Sequence, residues 1–287
     1  ISGYQAGLGN TSGTTNHYQG YLAGSTSTTT SQITAIGYSA GKLNTGTVNY
    51  FEGYQAGLTN SGSTPIIYIG YQAGTLATAS AAPGGTVFAI GYQSFSKATT
   101  ACQEMALGYQ ADFNRTTGQE NNTMIGYQAA YNYTTSGNVA GSVMVGFQSG
   151  YNATTVNKTT CVGVQNFANF VPTALTGIGN TAFGYAAGKF IQGAAADNVC
   201  VGFKAGSDLG GTAITTGTDN TMIGYGASTN TATQTNSIAI GYMARVDGSN
   251  MMSLGGTGAN AVKVGINTSS RTTTLDVNVL FQGIGIS

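Results

Sequence analysis

The sequence that decides the fold is NSIAIGYMA, residues 236–244. One set of alternate positions in it holds Ile238, Ile240, Tyr242 and Ala244, and the positions between them hold serine, alanine, glycine and methionine. This two-residue period places the two sets on opposite faces of a β-strand, and no helical apolar stripe of useful length occurs in the chain. The stretch therefore predicts a short strand with two distinct faces.

The same pattern recurs along the chain around a glycine that is followed by an aromatic residue in most copies. The consensus is Ile-Gly-Tyr-Gln-Ala-Gly: the residue before the first glycine is apolar in 11 of 14 copies, and Tyr follows that glycine in 11. The intervals between copies vary from 16 to 22 residues, and the variation falls in clusters of Thr, Asn, Ser and Gly, which are typical of turns. The 14 consensus glycines are Gly3, Gly20, Gly37, Gly53, Gly70, Gly91, Gly108, Gly126, Gly146, Gly163, Gly184, Gly202, Gly224 and Gly241.

This repeat predicts an all-β fold of parallel β-solenoid or β-roll turns. A strand-turn unit of about 17 residues cannot bury its own apolar face, so neighbouring copies must stack. At a strand spacing of about 4.8 Å, the copies would extend over on the order of 70 Å. We expect a repeat shaft over residues 1–245 and a divergent C-terminal end over residues 246–287. The predicted structural core of the repeat comprises Ile36, Gly37, Tyr38, Ile69, Gly70, Tyr71, Ile90, Gly91, Tyr92, Ile125, Gly126, Tyr127, Ile223, Gly224, Tyr225, Ile240, Gly241 and Tyr242.

The chain is poor in charge. Of 287 residues only 18 are charged, 9 basic and 9 acidic. Nucleic-acid binding needs clustered Lys and Arg, so we expect no nucleic-acid partner. Few charges leave little repulsion between copies, which favours an obligate assembly. No apolar run approaches the roughly 18 residues of a membrane span, so we expect no membrane insertion.

The side chains of common active sites are almost absent. The one histidine, His17, is expected at the surface, and Cys102, Cys161 and Cys200 are expected to be free structural thiols. No paired carboxylates, phosphate-binding loop, nucleophile triad or Cys-x-x-Cys spacing can be assembled. We therefore predict no turnover enzyme, no cofactor and no metal.

The tyrosine column has two interpretations. A surface array of rings could bind glycan by stacking, because Tyr combines an apolar face with a polar tip. The alternating pattern, however, places Tyr on the same face as Ile. We therefore expect most of these rings to pack within or between chains.

The repeats resemble those of two families. Residues 236–244 are similar to the head repeat of trimeric autotransporter adhesins, and TAIGYSA at 34–40 and NTAFG at 180–184 resemble it too. The Ile-Gly-Tyr-Gln-Ala-Gly form, with a spacing near 17, resembles repeats of bacteriophage tail-fibre and other viral fibre proteins. Both resemblances imply parallel β-solenoid or β-roll turns contributed by three chains.

The C-terminal segment resembles one of the two families more closely. VKVGINTSS at 262–270, followed by TLDV at 274–277, resembles the segment that precedes the self-cleaving intramolecular chaperone of many phage tail fibres. In that family the chaperone folds the trimer and is released by a cut beside a serine that heads a Ser-Asp motif. The resemblance therefore implies that the hydroxyl of Ser287 is the nucleophile of a single-turnover self-cleavage during maturation. Ser287 is the one catalytic residue that we predict.

The function implied is that of a homotrimeric structural fibre in a phage tail appendage, which takes part in host attachment. Its expected location is the virion tail fibre, and its expected partners are further copies of itself and a host cell-surface glycan or protein. One alternative is the head of a trimeric adhesin on a bacterial cell surface. A second alternative is a self-assembling extracellular filament with no receptor.

Overall fold

The structure is a computed structural model, and it describes residues 1–61, 65–77, 86–98, 103–116, 121–134, 141–155, 157–168, 174–207 and 214–256. Within these residues the chain is all-β, without a helix. The strands are β1 (His17–Gln19), β2 (Ile33–Ile36), β3 (Asn49–Glu52), β4 (Ile66–Ile69), β5 (Val87–Ile90), β6 (Glu104–Leu107), β7 (Thr123–Ile125), β8 (Val143–Val145), β9 (Thr160–Val164), β10 (Thr181–Tyr185), β11 (Val199–Val201), β12 (Thr221–Ile223), β13 (Ser228–Thr229), β14 (Ile238–Ile240), β15 (Arg245–Val246) and β16 (Met252–Leu254).

Fourteen of these strands form one parallel sheet in the order of the sequence, from β1 to β12 and then β14 and β16. Each strand pairs in register with the equivalent strand of the next copy, so that Ile125 lies between Leu107 and Val145. The predicted parallel β-solenoid is therefore confirmed. Below, each turn of the solenoid is called a rung, and each set of equivalent positions in successive rungs is called a column. The sheet continues past residue 245 into β16, whereas residues 257–287 lie outside the described residues.

The consensus glycines form a column because the backbone turns sharply there. All fourteen have φ between +121° and +138°, a region that L side chains rarely adopt. At Gly126 a Cβ atom would also overlap the carbonyl oxygen of Gly146 on the next rung. The repeated glycine therefore permits both the turn and the close stacking of one rung on the next.

From Gly20 onward, the interior of the solenoid is lined by the residue two positions before each consensus glycine. This column mixes aromatic, sulfur-containing and small residues, and for that reason the consensus does not reveal it. Its fully buried members are Tyr18, Ala35, Phe51, Tyr68, Ala89, Ala106, Met124, Met144, Cys161, Ala182, Cys200, Met222 and Ala239.

Large and small residues combine in the interior so that its narrow space is filled. Tyr68 fits because the second glycine of its consensus, Gly74, has no side chain, and a Cβ there would overlap the ring. In the rung of Ala89 the position of that glycine is taken by Phe95, which is buried and lies 6.4 Å from the ring of Tyr68, centroid to centroid. Such complementarity gives the interior a dense packing.

A column of buried asparagines stacks along one corner of the solenoid. The backbone N–H and the side-chain amide of Asn198 both donate to Oδ1 of Asn180, each over 3.1 Å. The side chain of Asn220 donates to Oδ1 of Asn198 over 2.9 Å, and the backbone N–H of Ser237 donates to Oδ1 of Asn220 over 3.1 Å. These bonds satisfy polar backbone groups at the entry to each strand, where burial would otherwise be costly.

An ionic cluster interrupts the apolar interior near its middle. Nη2 of Arg115 lies 3.1 Å from Oε1 of Glu104, and Nη1 lies 3.4 Å from Oδ2 of Asp112, with all three side chains fully buried. The side chain of Asn122 donates to the same Glu104 oxygen over 3.1 Å, and the guanidinium lies 5.3 Å from the ring centroid of Tyr133. Among the described residues, one apolar cluster covers residues 6–111 and another covers 124–246.

Candidate functional site

The candidate interaction surface is the outward side of the long sheet. In each rung the side chains three and one positions before the consensus glycine point away from the interior, and the residue after the glycine is exposed beside them; we call these columns the outer face. In the rung of Gly126 they are Thr123, Ile125 and Tyr127, whereas Met124 is fully buried. Period-two alternation thus separates an inner and an outer apolar side within one short strand.

The isoleucines and tyrosines of the predicted repeat core belong to this outer face, whereas its glycines form the glycine column described above. Ile36, Ile69, Ile90, Ile125 and Ile240 are half-buried. Ile223 is 38% exposed. Ile and Tyr do share one side of the strand, as the alternation predicts, but in the single chain that side faces outward. The interior is formed by the other alternate set, and covering of the outer face by further copies is a proposal made below.

The aromatic residues after the consensus glycines stack into a ladder. Ring centroids of successive rungs are 4.9 to 5.2 Å apart, with interplanar angles of 5° to 14°. The rings are 39% to 62% exposed. Val164 interrupts the ladder between Phe147 and Tyr185. Because each ring covers the face of its neighbour, the ladder presents mainly ring edges and hydroxyl groups, which weakens the interpretation that glycans stack on it.

A second ladder, made of glutamine amides, runs beside the aromatic one. The side-chain N–H of Gln72 donates to Oε1 of Gln55 over 2.9 Å, and the same bond recurs from rung to rung as far as Gln165. These glutamines have φ near +50°, an unusual backbone state for a residue other than glycine. The recurrence of Gln in 8 copies was the signal in the sequence, but the bonded ladder depends on exact stacking that the sequence does not reveal.

A third polar stack lies in the connectors of the central rungs. The side chain of Asn114 donates to Asn132 over 2.9 Å, and that of Asn132 donates to Asn152 over 2.6 Å. One residue earlier in each rung, the rings of Phe113, Tyr131 and Tyr151 stack with centroids 5.2 and 5.0 Å apart. Part of the connector surface is therefore as regular as the sheet.

The structure describes the histidine and two of the three cysteines, and their positions agree with the prediction. His17 is exposed. Cys161 and Cys200 are free and buried, which confirms that expectation for these two, whereas Cys102 lies outside the described residues. Burial raises the pKa of Cys161 above its ordinary value and that of Cys200 to about 12. The two thiols lie on β9 and β11, with Ala182 of β10 between them.

The predicted catalytic residue, Ser287, lies outside the described residues, so self-cleavage stays a prediction. Within the described ranges, no group of three or more His, Cys, Asp and Glu side chains could hold a metal ion. In the same part of the chain, no helix has the length and apolarity needed to cross a membrane.

The fold and its outer face define a class, that of parallel β-solenoid repeat proteins. No protein-family model matches the chain, and no curated protein is significantly similar to it.

Proposed function

We propose that this chain is a structural fibre protein of a phage tail appendage, in which three copies assemble into a shaft that takes part in host attachment. The observation that carries the proposal is the outer face. Its apolar and aromatic columns remain partly exposed along the whole solenoid.

The outer face is large enough to be an interface. Fourteen strands about 4.8 Å apart span roughly 62 Å, and three outward columns about 6.7 Å apart give a width of roughly 13 Å. The resulting area, on the order of 800 Å², matches the share of one partner in a standard protein interface. The face mixes apolar and aromatic side chains with threonines such as Thr34, Thr123 and Thr160, and extended exposed apolar surface marks interaction sites in soluble proteins.

Further copies of the same chain are the partner that fits this surface. Its features repeat at the spacing of the rungs, so another solenoid with the same repeat can match it over the full length. Glu52 is the one acidic residue among the described residues of its three columns, and its carboxylate accepts a 2.7 Å hydrogen bond from the hydroxyl of Tyr50. Because the face is almost uncharged, copies of the chain do not repel one another there. A cyclic arrangement around one axis also lets every copy bury the same patch. Three is the number that the family resemblance implies.

Such an assembly would act mechanically, as a rod that holds a binding surface away from the particle. The backbone hydrogen bonds run from rung to rung along the axis, so the rod resists bending and stretching through many parallel bonds. Each copy would present its connectors outward, and weak contacts repeated on three chains would add through avidity.

Two measurements test the proposal. Multi-angle light scattering of the purified chain should give three times the mass of one chain, 29.0 kDa, and negative-stain images should show thin rods. A monodisperse monomer would overturn the assembly.

The location is tested separately. An antibody raised against the purified chain should label the tail appendages of virions of the phage that encodes the chain. Labelling of bacterial envelopes would instead favour the adhesin head, and end-to-end polymers without virion labelling would favour the filament.

A further inference from the structure

A groove opens where both outer ladders are interrupted in neighbouring rungs. Val164 takes the place of an aromatic ring, and in the next rung Ala186 takes the place of a glutamine. Because the alanine side chain is short, the surface there recedes into a groove of about 280 Å³. Its lining residues are Tyr185, Ala186, Lys189, Phe190, Lys204 and Ser207.

Two lysines, Lys189 and Lys204, line this groove in a chain that has only nine Lys and Arg residues. Nζ of Lys189 donates to Oε1 of Gln165 over 3.2 Å and lies 5.9 Å from the ring centroid of Phe190. Nζ of Lys204 lies 5.5 Å from the ring centroid of Phe203. None of the described lining residues is acidic, and Asp208, which follows Ser207 in the sequence, lies outside the described residues. The groove thus combines positive charge with aromatic walls.

This combination fits a small anion that also has an apolar face. Ammonium groups form strong charge-assisted hydrogen bonds with carboxylates. The ring of Phe190 suits the C–H face of a sugar ring, and the volume suits one such ring rather than a larger ligand. The hydroxyl of Ser207 is held by a hydrogen bond to the carbonyl of Ala186, which fixes the floor of the groove.

We propose that the groove between Lys189 and Lys204 binds a carboxylated sugar unit of a surface polysaccharide. The biological source of that sugar rests on the proposed function in host attachment, whereas the binding chemistry does not. Of the lining residues, Tyr185 belongs to the outer face, whereas Lys189, Phe190, Lys204 and Ser207 lie outside its three columns and stay accessible if copies cover only those columns.

The test is a titration of the full chain with sodium D-glucuronate, followed by saturation-transfer NMR and calorimetry. D-glucuronate should bind with Kd on the order of 1 mM, and D-glucose should bind at least about tenfold more weakly because it has no carboxylate. Lys204→Gln should weaken glucuronate binding about tenfold, whereas the matched control Lys42→Gln, a lysine on a distant connector, should bind like the wild type.

Three results would overturn the proposal: equal binding of glucuronate and glucose, unchanged binding by Lys204→Gln, or inorganic phosphate binding as tightly as glucuronate with no loss on Phe190→Leu. The last result would mean a plain anion site without sugar recognition. Light scattering on the same samples separates the two ideas. If the wild-type chain forms a trimer but does not bind glucuronate, only the proposed sugar site is contradicted. If the chain binds glucuronate as a monomer, only the proposed assembly is contradicted.

Discussion

The guanidinium of Arg115 lies 3.1 Å from the carboxylate of Glu104, and neither side chain is exposed to solvent. The two residues are eleven positions apart, and the winding of the chain brings them together inside the solenoid. Breaking a buried ion pair is costly because a charge is left in a medium that solvates it poorly.

Arg115→Met should therefore lower the free energy of unfolding by about 3–5 kcal/mol, measured by urea denaturation followed by circular dichroism. The triple variant Arg115→Met, Glu104→Gln, Asp112→Asn removes every formal charge from the cluster and should recover most of that loss. Lys42→Met, a change on the surface, serves as the control. An unchanged midpoint in the single variant would contradict a structural role for the pair.

Replacement of Ile125 by Asp should abolish assembly but leave the solenoid folded. The side chain points outward, so the charge disturbs an interface between copies rather than the interior. Light scattering should show a monomer with an unchanged circular dichroism spectrum. Leu43→Asp, at an exposed connector leucine, should leave the trimer intact, and a stable trimer of the Ile125 variant would argue against the outer face as the interface.

Gly126→Ala tests the glycine column. Alanine is strained at a φ of +133°, and its Cβ would overlap the carbonyl of Gly146, so we expect a loss of more than about 2 kcal/mol in unfolding free energy or insoluble protein. Gly248→Ala is the matched control, because φ there is not positive and the new methyl group meets only the flexible side chain of Met251. Equal stability of the two variants would refute the explanation given for the column.

Two buried tyrosines should respond in opposite directions to loss of their hydroxyl groups. The hydroxyl of Tyr68 has no hydrogen-bond partner among the described residues, and burial raises its pKa well above the ordinary value. Tyr68→Phe should therefore stabilise the fold by about 1 kcal/mol. Tyr18 has a partner, the hydroxyl of Thr30 at 3.4 Å, so Tyr18→Phe should destabilise the fold slightly. Thermal melts of the two variants give the comparison, and shifts of the same sign would count against it.

The buried thiols should be unreactive in the native state. With a pKa of about 12, Cys200 is roughly one part in ten thousand thiolate at pH 8. In a Cys102→Ser background, Ellman's reagent should detect no thiol in the folded protein and two per chain in urea. Rapid reaction of one thiol under native conditions would contradict the placement of Cys161 and Cys200 in the interior.

The parallel solenoid follows from the sequence because the glycine recurs at nearly constant spacing and the turns absorb the variation. Which apolar set faces inward does not follow, because both sets are hydrophobic. Ile125 is as apolar as Met124, yet the interior accepts whatever residue completes its volume at each rung, and that volume depends on the neighbouring rungs. The cluster of Arg115, Glu104 and Asp112 could not be predicted from the sequence either, because only the winding of the chain brings these charges together.

The glutamine ladder gives the shaft a direction. Every amide from Gln72 to Gln165 donates toward the N-terminal neighbour, so the side-chain dipoles add along the axis as peptide dipoles do in a helix. The carbonyl at the far end meets the ammonium of Lys189, a cation at the negative pole of the row. The two ends of the row are thus electrically unlike, with the positive pole near Gln55 and the negative pole near Gln165.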